Sequence, residues 1–369
     1  MLKLSQPNIS EDAIARVAEV LRDGYLVHGP ECDAFEKELA DYLGCDSVVL
    51  VSSGTAALHV ALLALDVGPG DAVLVPDFTF PASANSIAMT GAKPVIVDVN
   101  AETYTISAKA LSDTIAAWDG PETLKAIMPV HEFGAAADMR EILSLAQEHG
   151  LHVVEDAACA LGARDINGKV GQYSEAACFS FHPRKTLTTG EGGAIATNDA
   201  GLACRMRRLR NHGMERSTDG MRFLEPATNY RMTNFQGALG RSQLPCLDEW
   251  ISLRHQLCGH YLKALSSLEE QGKLMCPEID SGHSLQTFMV VLDERYERSS
   301  VIAAMRERGV ECNLGAQSLT SLALYGPALT PCVHGPRLYE QGLALPMFEK
   351  MTDADVAKVC ESLMMTLAE

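Results

Sequence analysis

The stretch that decides the fold runs from His152 to Thr197 and reads HVVEDAACALGARDINGKVGQYSEAACFSFHPRKTLTTGEGGAIAT. An apolar strand pattern ends in an acid, Asp156. A second apolar run carries a serine, Ser180, and a lone lysine, Lys185, follows it. A glycine-rich turn, Thr189-Gly190-Glu191-Gly192-Gly193, opens a third run. Singly, each residue has an ordinary reading. A lysine beside Pro183 and Arg184 is usually a solvated surface residue. An acid that ends a strand, such as Asp156 or Asp98, is more often a cap than a catalyst. Glycines such as Gly190, Gly192 and Gly193 mark tight turns. What points to chemistry is the order: strand, acid, strand with serine, lysine, glycine turn, all in one short span.

Those residue types suit pyridoxal phosphate. That cofactor needs an amine for a Schiff base, a carboxylate to keep its ring nitrogen protonated, and anion-binding groups for its phosphate. Lys185 supplies the amine and Asp156 the carboxylate. A charge-paired acid favours the protonated ring. The lysine must also titrate low enough to serve as a base, and partial burial near the ring cation pushes it that way.

Working outward, Ser47–Val51 reads as a strand that runs into Ser52-Ser53-Gly54-Thr55-Ala56 and then an apolar helix. Strand, small-residue turn and helix start together offer N–H groups and a dipole to a phosphate. A plain N-cap at Ser53 or Thr55 is the simpler alternative. Further strand patterns lie at 72–75, 94–97, 126–129, 152–155, 176–181 and 194–197, with helical segments between most of them. About seven strands in βα order predict a largely parallel sheet between helices. Ligands bind beyond the carboxyl ends of such strands, where both Asp156 and the Ser53–Thr55 turn fall. Residues 1–244 are read as a large α/β domain with an N-terminal helical segment, and 245–369 as a smaller α+β domain. Ser10 predicts a helix start, with Ile14, Val17, Ala18 and Leu21 on one face and Gly24 at the end. A second helix carries Phe35, Leu39 and Tyr42 and closes at Gly44. In the second domain SLQTFMVVLDE and VECNLG read as strands and SVIAAMRERG as a helix. Thr352 and Asp355 have capping-box spacing.

The run around Lys185 resembles the signature of the DegT/DnrJ-type sugar aminotransferases. VSSGTAALHVALLAL, VPDFTFPASANSI, GAKPVIVDV, PVHEFGAAADM, LRNHGM and NYRMTNFQGALG are similar to that family too, and in its order. Several motifs in register are far more specific than one short pattern. The resemblance implies a fold-type-I pyridoxal-phosphate transaminase that moves an amino group, from L-glutamate, to a nucleotide-linked keto sugar in amino-sugar or surface-polysaccharide biosynthesis. It assigns the cofactor to Ser53, Gly54, Thr55, Phe80, Asp156, Cys159, Ser180, Lys185 and Asn229. Phe80 would stack on the ring, and Asn229 would reach the phosphate in the neighbouring subunit of a homodimer with shared sites. Two positions depart from the family pattern. Cys159 stands where Gln or His is common, and a thiol is a weak donor. Ala227-Thr228 replace the usual glycine before Asn229. His131, Tyr25 and His28 are further residues near the expected site, each with a structural reading beside the functional one. A dehydratase of the same fold would carry histidine in place of Lys185, and a non-catalytic binding protein would lack Lys185 or Asp156.

Composition narrows the rest. The 369 residues carry a formal charge of −18 and are 47% hydrophobic. That charge argues against a nucleic-acid partner, and the Arg205, Arg207, Arg208 and Arg210 cluster reads as a solvated helix face. No apolar run approaches the ~20 residues that span a bilayer. The start MLKLSQPNIS shows no secretory pattern. The 11 cysteines lack C-x-x-C pairs, which suits reduced thiols in the cytoplasm. No H-E-x-x-H spacing for a metal appears.

Overall fold

The computed structural model describes residues 1–166, 168–218 and 220–368. In chain order its first strands are β1 (Ser47–Val51), β2 (Asp71–Pro76), β3 (Phe78–Thr79), β4 (Lys93–Val97), β5 (Thr123–Ile127), β6 (His152–Asp156), β7 (Ala176–Ser180) and β8 (Gly193–Thr197). All but β3 join in one seven-stranded sheet, ordered β1-β8-β7-β6-β5-β2-β4. Pairings from β4 through β7 are parallel. β8 alone is reversed, antiparallel to both β7 and β1. The seven expected strands therefore form, with β5 beginning and ending a little earlier than its apolar run suggested.

The sheet is buried on both faces, as parallel sheets are. Alternation along β1 shows how. Val49 and Val51 pack with the apolar helix α3 (Gly54–Ala64) on one side. Val48 and Leu50 pack with Phe35, Leu39 and Leu43 of α2 (Pro30–Leu43) on the other.

Helix α1 (Glu11–Asp23) starts at Ser10, whose hydroxyl accepts from the Ala13 N–H at 3.1 Å. It ends at Gly24 in the left-handed conformation. Its orientation departs from the periodicity. Ala13 and Val20 face inward, whereas Ile14 and Leu21 are 52% and 53% exposed. The helix packs against the neighbouring Asn234–Gln243 helix with Ile14 and Leu21 left outside the contact.

A long helix, Leu247–Glu270, leads to a second core. There β11 (Leu274–Met275), β12 (Phe288–Leu292) and β14 (Gly342–Leu345) form an antiparallel sheet. Tyr261 stacks on Phe288 at 4.8 Å between centroids. The buried Arg254 guanidinium donates to Glu349 at 2.7 Å and to the Leu285 carbonyl at 2.8 Å. The VECNLG run is not a strand. Its Val310 and Asn313 make only isolated bridges, to Leu2 and Ala344, so its hydrogen bonds are split between the N-terminal residues and β14. The chain then returns to the core beside the large sheet. β13 (Gln317–Ser318) pairs with β3, and Leu319 enters the α3 core. A hairpin of β9 (Met214–Ser217) and β10 (Gly220–Phe223) stands apart, with Phe223 67% exposed.

Candidate active site

The carboxyl ends of β1, β6 and β7 bring the expected residues to one edge of the sheet. Ser53, Gly54 and Thr55 leave β1 and open α3, Asp156 ends β6, and Ser180 ends β7. Because β8 is reversed, its first residue, Gly193, starts at the same edge. Two glycines allow the backbones to close up there. A Cβ on Gly54 would lie 2.8 Å from Ser180 Cβ, and one on Gly193 would lie 2.5 Å from the Ser53 carbonyl oxygen. Ser53 Oγ is spent as the N-cap, accepting from the Ala56 N–H at 3.1 Å. The capping role thus holds for Ser53. Among the described residues the N–H groups of Gly54 and Thr55 have no partner within the chain. They face the helix end where an anion is favoured.

Asp156 is buried. Its Oδ2 accepts from Ser83 Oγ at 2.7 Å and its Oδ1 from the Ala158 N–H at 3.1 Å. Burial pushes its carboxyl above the ordinary value, while Ser83, Ala158 and the Lys185 charge act the other way. Behind it, His131 is fully buried. Its Nδ1 accepts from the Ala137 N–H at 3.0 Å, so Nε2 carries the proton and donates to Glu155 at 2.8 Å. His131 is structural, bracing the strand end through its own N–H to the Asp156 carbonyl at 3.0 Å.

Lys185 sits on the 181–192 loop between β7 and β8. Its Nζ lies 3.0 Å from Cys159 Sγ. Burial disfavours the ammonium, but Cys159, Glu132 and Asp156 together outweigh that and raise the amine above its ordinary value. Burial also pushes the Cys159 thiol up.

Phe80 follows β3 and is 70% exposed, so it is not a core residue. Its carbonyl accepts from Ser83 Oγ at 3.2 Å, which places its backbone one residue from the Asp156 contact. Asn229 is exposed and bridges to Asn211, and no hydrogen bond joins it to Lys185, Asp156, Ser180 or Thr55. The next residue, Tyr230, accepts from the Ser52 N–H at 2.8 Å, which sets this segment beside the β1 exit. The arginine cluster is not a solvated face. Arg205 pairs with Asp66 and Glu225, Arg208 with Glu215 and Glu225, and Arg207 and Arg210 with Glu36.

Two residues of the site escaped the sequence reading. Ser83 carries no signal in a single chain, since a serine in a helical turn is commonplace. Glu132 does carry one: a charged residue within the apolar run Pro129-Val130-His131-Glu132-Phe133.

An amine, a buried carboxyl and a glycine-lined anion cradle on one sheet edge fit pyridoxal phosphate. The sequence model of the DegT/DnrJ/EryC1/StrS aminotransferase family matches residues 7–364. The chain belongs to that family. It is a sugar aminotransferase, and family membership implies pyridoxal phosphate as its cofactor. GDP-perosamine synthase of Caulobacter vibrioides is 38% identical to this aminotransferase over 334 residues, covering 89% of this chain and 88% of that one. Among solved structures, the aminotransferase TlmJ of Streptoalloteichus hindustanus superposes with a TM-score of 0.92 at 30% identity, covering 100% and 99% of the two chains. Spr1654 of Streptococcus pneumoniae in its PLP form gives 0.89 at 25% identity, over 99% and 98%. Among the described residues, no helix of this aminotransferase is long and apolar enough to cross a membrane.

Proposed function

We propose that this aminotransferase moves an amino group from L-glutamate to a keto sugar carried on a nucleotide, with the residues at the sheet edge holding the cofactor. The observation that carries the site assignment is the convergence of Lys185, Asp156 and the Gly54–Ser180 cradle on one edge. The similarity to a GDP-perosamine synthase supports a nucleotide-linked sugar. When bound, the cofactor supplies an electron sink for removal of the proton beside the transferred nitrogen. The chain's own residues do the rest. Lys185 Nζ bonds the cofactor and carries that proton. Asp156, held by Ser83 and Ala158, keeps the ring nitrogen protonated. The Gly54 and Thr55 N–H groups and Ser180 Oγ bind the phosphate, Ser53 fixes the turn that presents them, Phe80 covers the ring, and Cys159 lies beside the amine.

The active form in this proposal is a homodimer in which Asn229 of the partner subunit completes the phosphate site. The outward apolar face of α1, the exposed Tyr25, Leu26 and Val27, and the solitary β9–β10 hairpin support it. An isolated two-stranded hairpin is marginal in water without a partner surface. Residues 245–369 form the smaller lobe of this proposal, joined by Leu2 and Leu4. The cysteines, all unpaired, suit a reducing cytoplasm.

Borohydride reduction of the yellow protein tests the site: the cofactor is expected on the single peptide that contains Lys185, and label on another lysine overturns the assignment. The substrate is tested with the Lys185→Ala chain loaded with cofactor. A nucleotide-linked amino sugar is expected to give a tighter complex, seen by absorbance, than a free amino acid or an amino-cyclitol, because the nucleotide adds remote binding energy. The reverse order would overturn the substrate class and leave the cofactor site standing.

A further inference from the structure

Two nucleophiles touch in this structure. The Cys159 Sγ accepts from the Lys185 Nζ at 3.0 Å. Other cysteines with a polar contact face backbone carbonyls instead: Cys32 those of Met232 and Thr233, Cys45 that of Ser47, and Cys332 that of Thr330. All the cysteines are unpaired, so the reactive neighbour of the Cys159 sulfur is a nitrogen and not a second sulfur.

Both sides of the contact are fixed. Cys159 lies in a turn closed by the Ala160 N–H, which donates to the Ala157 carbonyl at 2.9 Å. The Cys159 carbonyl accepts from Ser284 Oγ at 3.3 Å. The Lys185 N–H donates to the His182 carbonyl at 2.8 Å, and the carbonyl of the preceding Arg184 accepts from Gln286 Nε2 at 2.7 Å. Ser284 and Gln286 belong to one short run, so a single segment holds the sulfur side and the nitrogen side together. Neither Cys159 nor Lys185 is wholly buried. A path that admits a cofactor to the amine admits a smaller molecule to the sulfur.

We propose that a peroxide joins Cys159 Sγ to Lys185 Nζ by a sulfur–nitrogen bond, a reversible modification that withholds the amine from the cofactor. The bond follows from the contact alone, whereas its effect on the cofactor rests on Lys185 being the amine that bonds it. In the first step the sulfur attacks one oxygen of hydrogen peroxide. An S–O bond forms, the O–O bond breaks, and the departing hydroxide takes the thiol proton and leaves as water. The sulfur is oxidised to a sulfenic acid and the peroxide is reduced. In the second step the neutral Lys185 Nζ attacks that sulfur. An S–N bond forms, the S–O bond breaks, and the hydroxyl leaves with an amine proton as a second water. A sulfenic acid condenses with nitrogen in this way. An external thiol reverses the bond: it attacks the sulfur, its proton goes to the amine, and a second thiol reduces the mixed disulfide left on Cys159.

The surroundings favour this order of steps. Burial disfavours the Lys185 ammonium, and Cys159 is foremost among the groups that favour it. Once the sulfur carries oxygen that pull is gone, and burial favours the neutral amine that attacks. Burial pushes the thiol itself up, with Lys185 pulling the other way, so the first step quickens as alkaline pH forms thiolate. While the cofactor holds the amine the second step is blocked, and the cofactor-free chain is the susceptible form.

The test uses the full chain freed of cofactor, treated with hydrogen peroxide and digested without reductant. Peptide mass should show one linked pair carrying Cys159 and Lys185, lighter than the two separate peptides by two hydrogen atoms, and forming faster as pH rises. Dithiothreitol should release both side chains. Uptake of pyridoxal phosphate, read by absorbance, should fall with the linked fraction and recover with it, and saturation with the cofactor beforehand should suppress the link. Cys159 recovered as a thiol, a sulfinic acid or a disulfide, with Lys185 free, overturns the proposal. So does an equal yield of the pair from urea-denatured protein, because the folded contact would then not be what selects it. Linked chains that still bond pyridoxal phosphate on a lysine would instead overturn the reading of Lys185 and leave the modification standing.

Discussion

Gly54→Ala tests the anion cradle by geometry. The added methyl would sit 2.8 Å from Ser180 Cβ, 3.2 Å from Ser180 Oγ and 3.4 Å from Ser180 Cα. Carbon atoms at rest lie about 3.5–4.0 Å apart, so roughly 1 Å must be found. Neither side yields cheaply. Ser180 is the last residue of β7, bonded into β8, and Gly54 is the first residue of α3. The strain of such overpacking is about 1–3 kcal/mol. Any relief by separation moves the Gly54 and Thr55 N–H groups away from Ser180 Oγ, so one phosphate contact is lost. A hydrogen bond to a charged group is worth about 1.5–3 kcal/mol, which makes cofactor binding weaker by roughly 10- to 100-fold. Absorbance titration of the stripped protein with pyridoxal phosphate measures this directly. Ser180→Gly removes both the obstructing Cβ and one ligand, so it weakens binding alone but relieves the clash when combined with Gly54→Ala. The double variant should therefore be more stable, by thermal unfolding, than additivity of the two singles allows. Additive stabilities, or a Gly54→Ala protein that binds as tightly as the wild type, would show that the two chain segments do not form one cradle.

Asp156→Asn should lower turnover by about 100-fold or more, because a neutral amide cannot hold the ring proton by charge. Its stability should not fall at neutral pH. Burial raises the Asp156 carboxyl, so its favourable term is present below the ordinary value and lost as pH rises through the raised one, a loss that asparagine escapes. Unfolding midpoints from pH 4 to 8 check this sign. Arg254→Ala strands the buried Glu349 and should cost about 3–5 kcal/mol in denaturant unfolding; a loss below 1 kcal/mol would contradict the pairing. Mixing inactive Lys185→Ala and Asn229→Ala chains should restore activity in hybrids, where one site carries neither lesion, and no recovery despite proven exchange would count against a shared site.

Much of this was legible in the sequence because apolar runs and punctuation state local structure directly. The seven strands, the caps at Ser10 and Thr352, and the left-handed glycines Gly24 and Gly44 are properties of short segments. The meeting of Lys185, Asp156 and Gly54 was legible only through the rule that ligands gather at strand ends. What failed was tertiary. The α1 periodicity finds a face but not which neighbour claims it, and Ala13 and Val20 won the core over Ile14 and Leu21. VECNLG has a strand's composition, yet its partners are two unrelated segments. The reversal of β8 is invisible in composition, since a parallel and an antiparallel central strand are equally apolar. Glu132 was read only for metal spacing, because its burial at the sheet edge is created by the turn at Phe133.

The reversed strand has a mechanical consequence. Ser180 and Gly193 are directly opposed across the β7–β8 ladder, so the segment bearing Lys185 leaves the sheet and re-enters it at adjoining points. It is a closed stirrup pinned at both feet. A strand that continued in the same direction would have required a long crossover there, with a free arm to swing. Loops at this edge that end in different elements, such as the one from β3 through Phe80 into α4 (Ala82–Met89), can lengthen without dragging the amine with them. Insertions should therefore be tolerated around the rim of the cleft and resisted between Ser180 and Gly193, so that the binding surface can be rebuilt for another acceptor while the reactive nitrogen keeps its place.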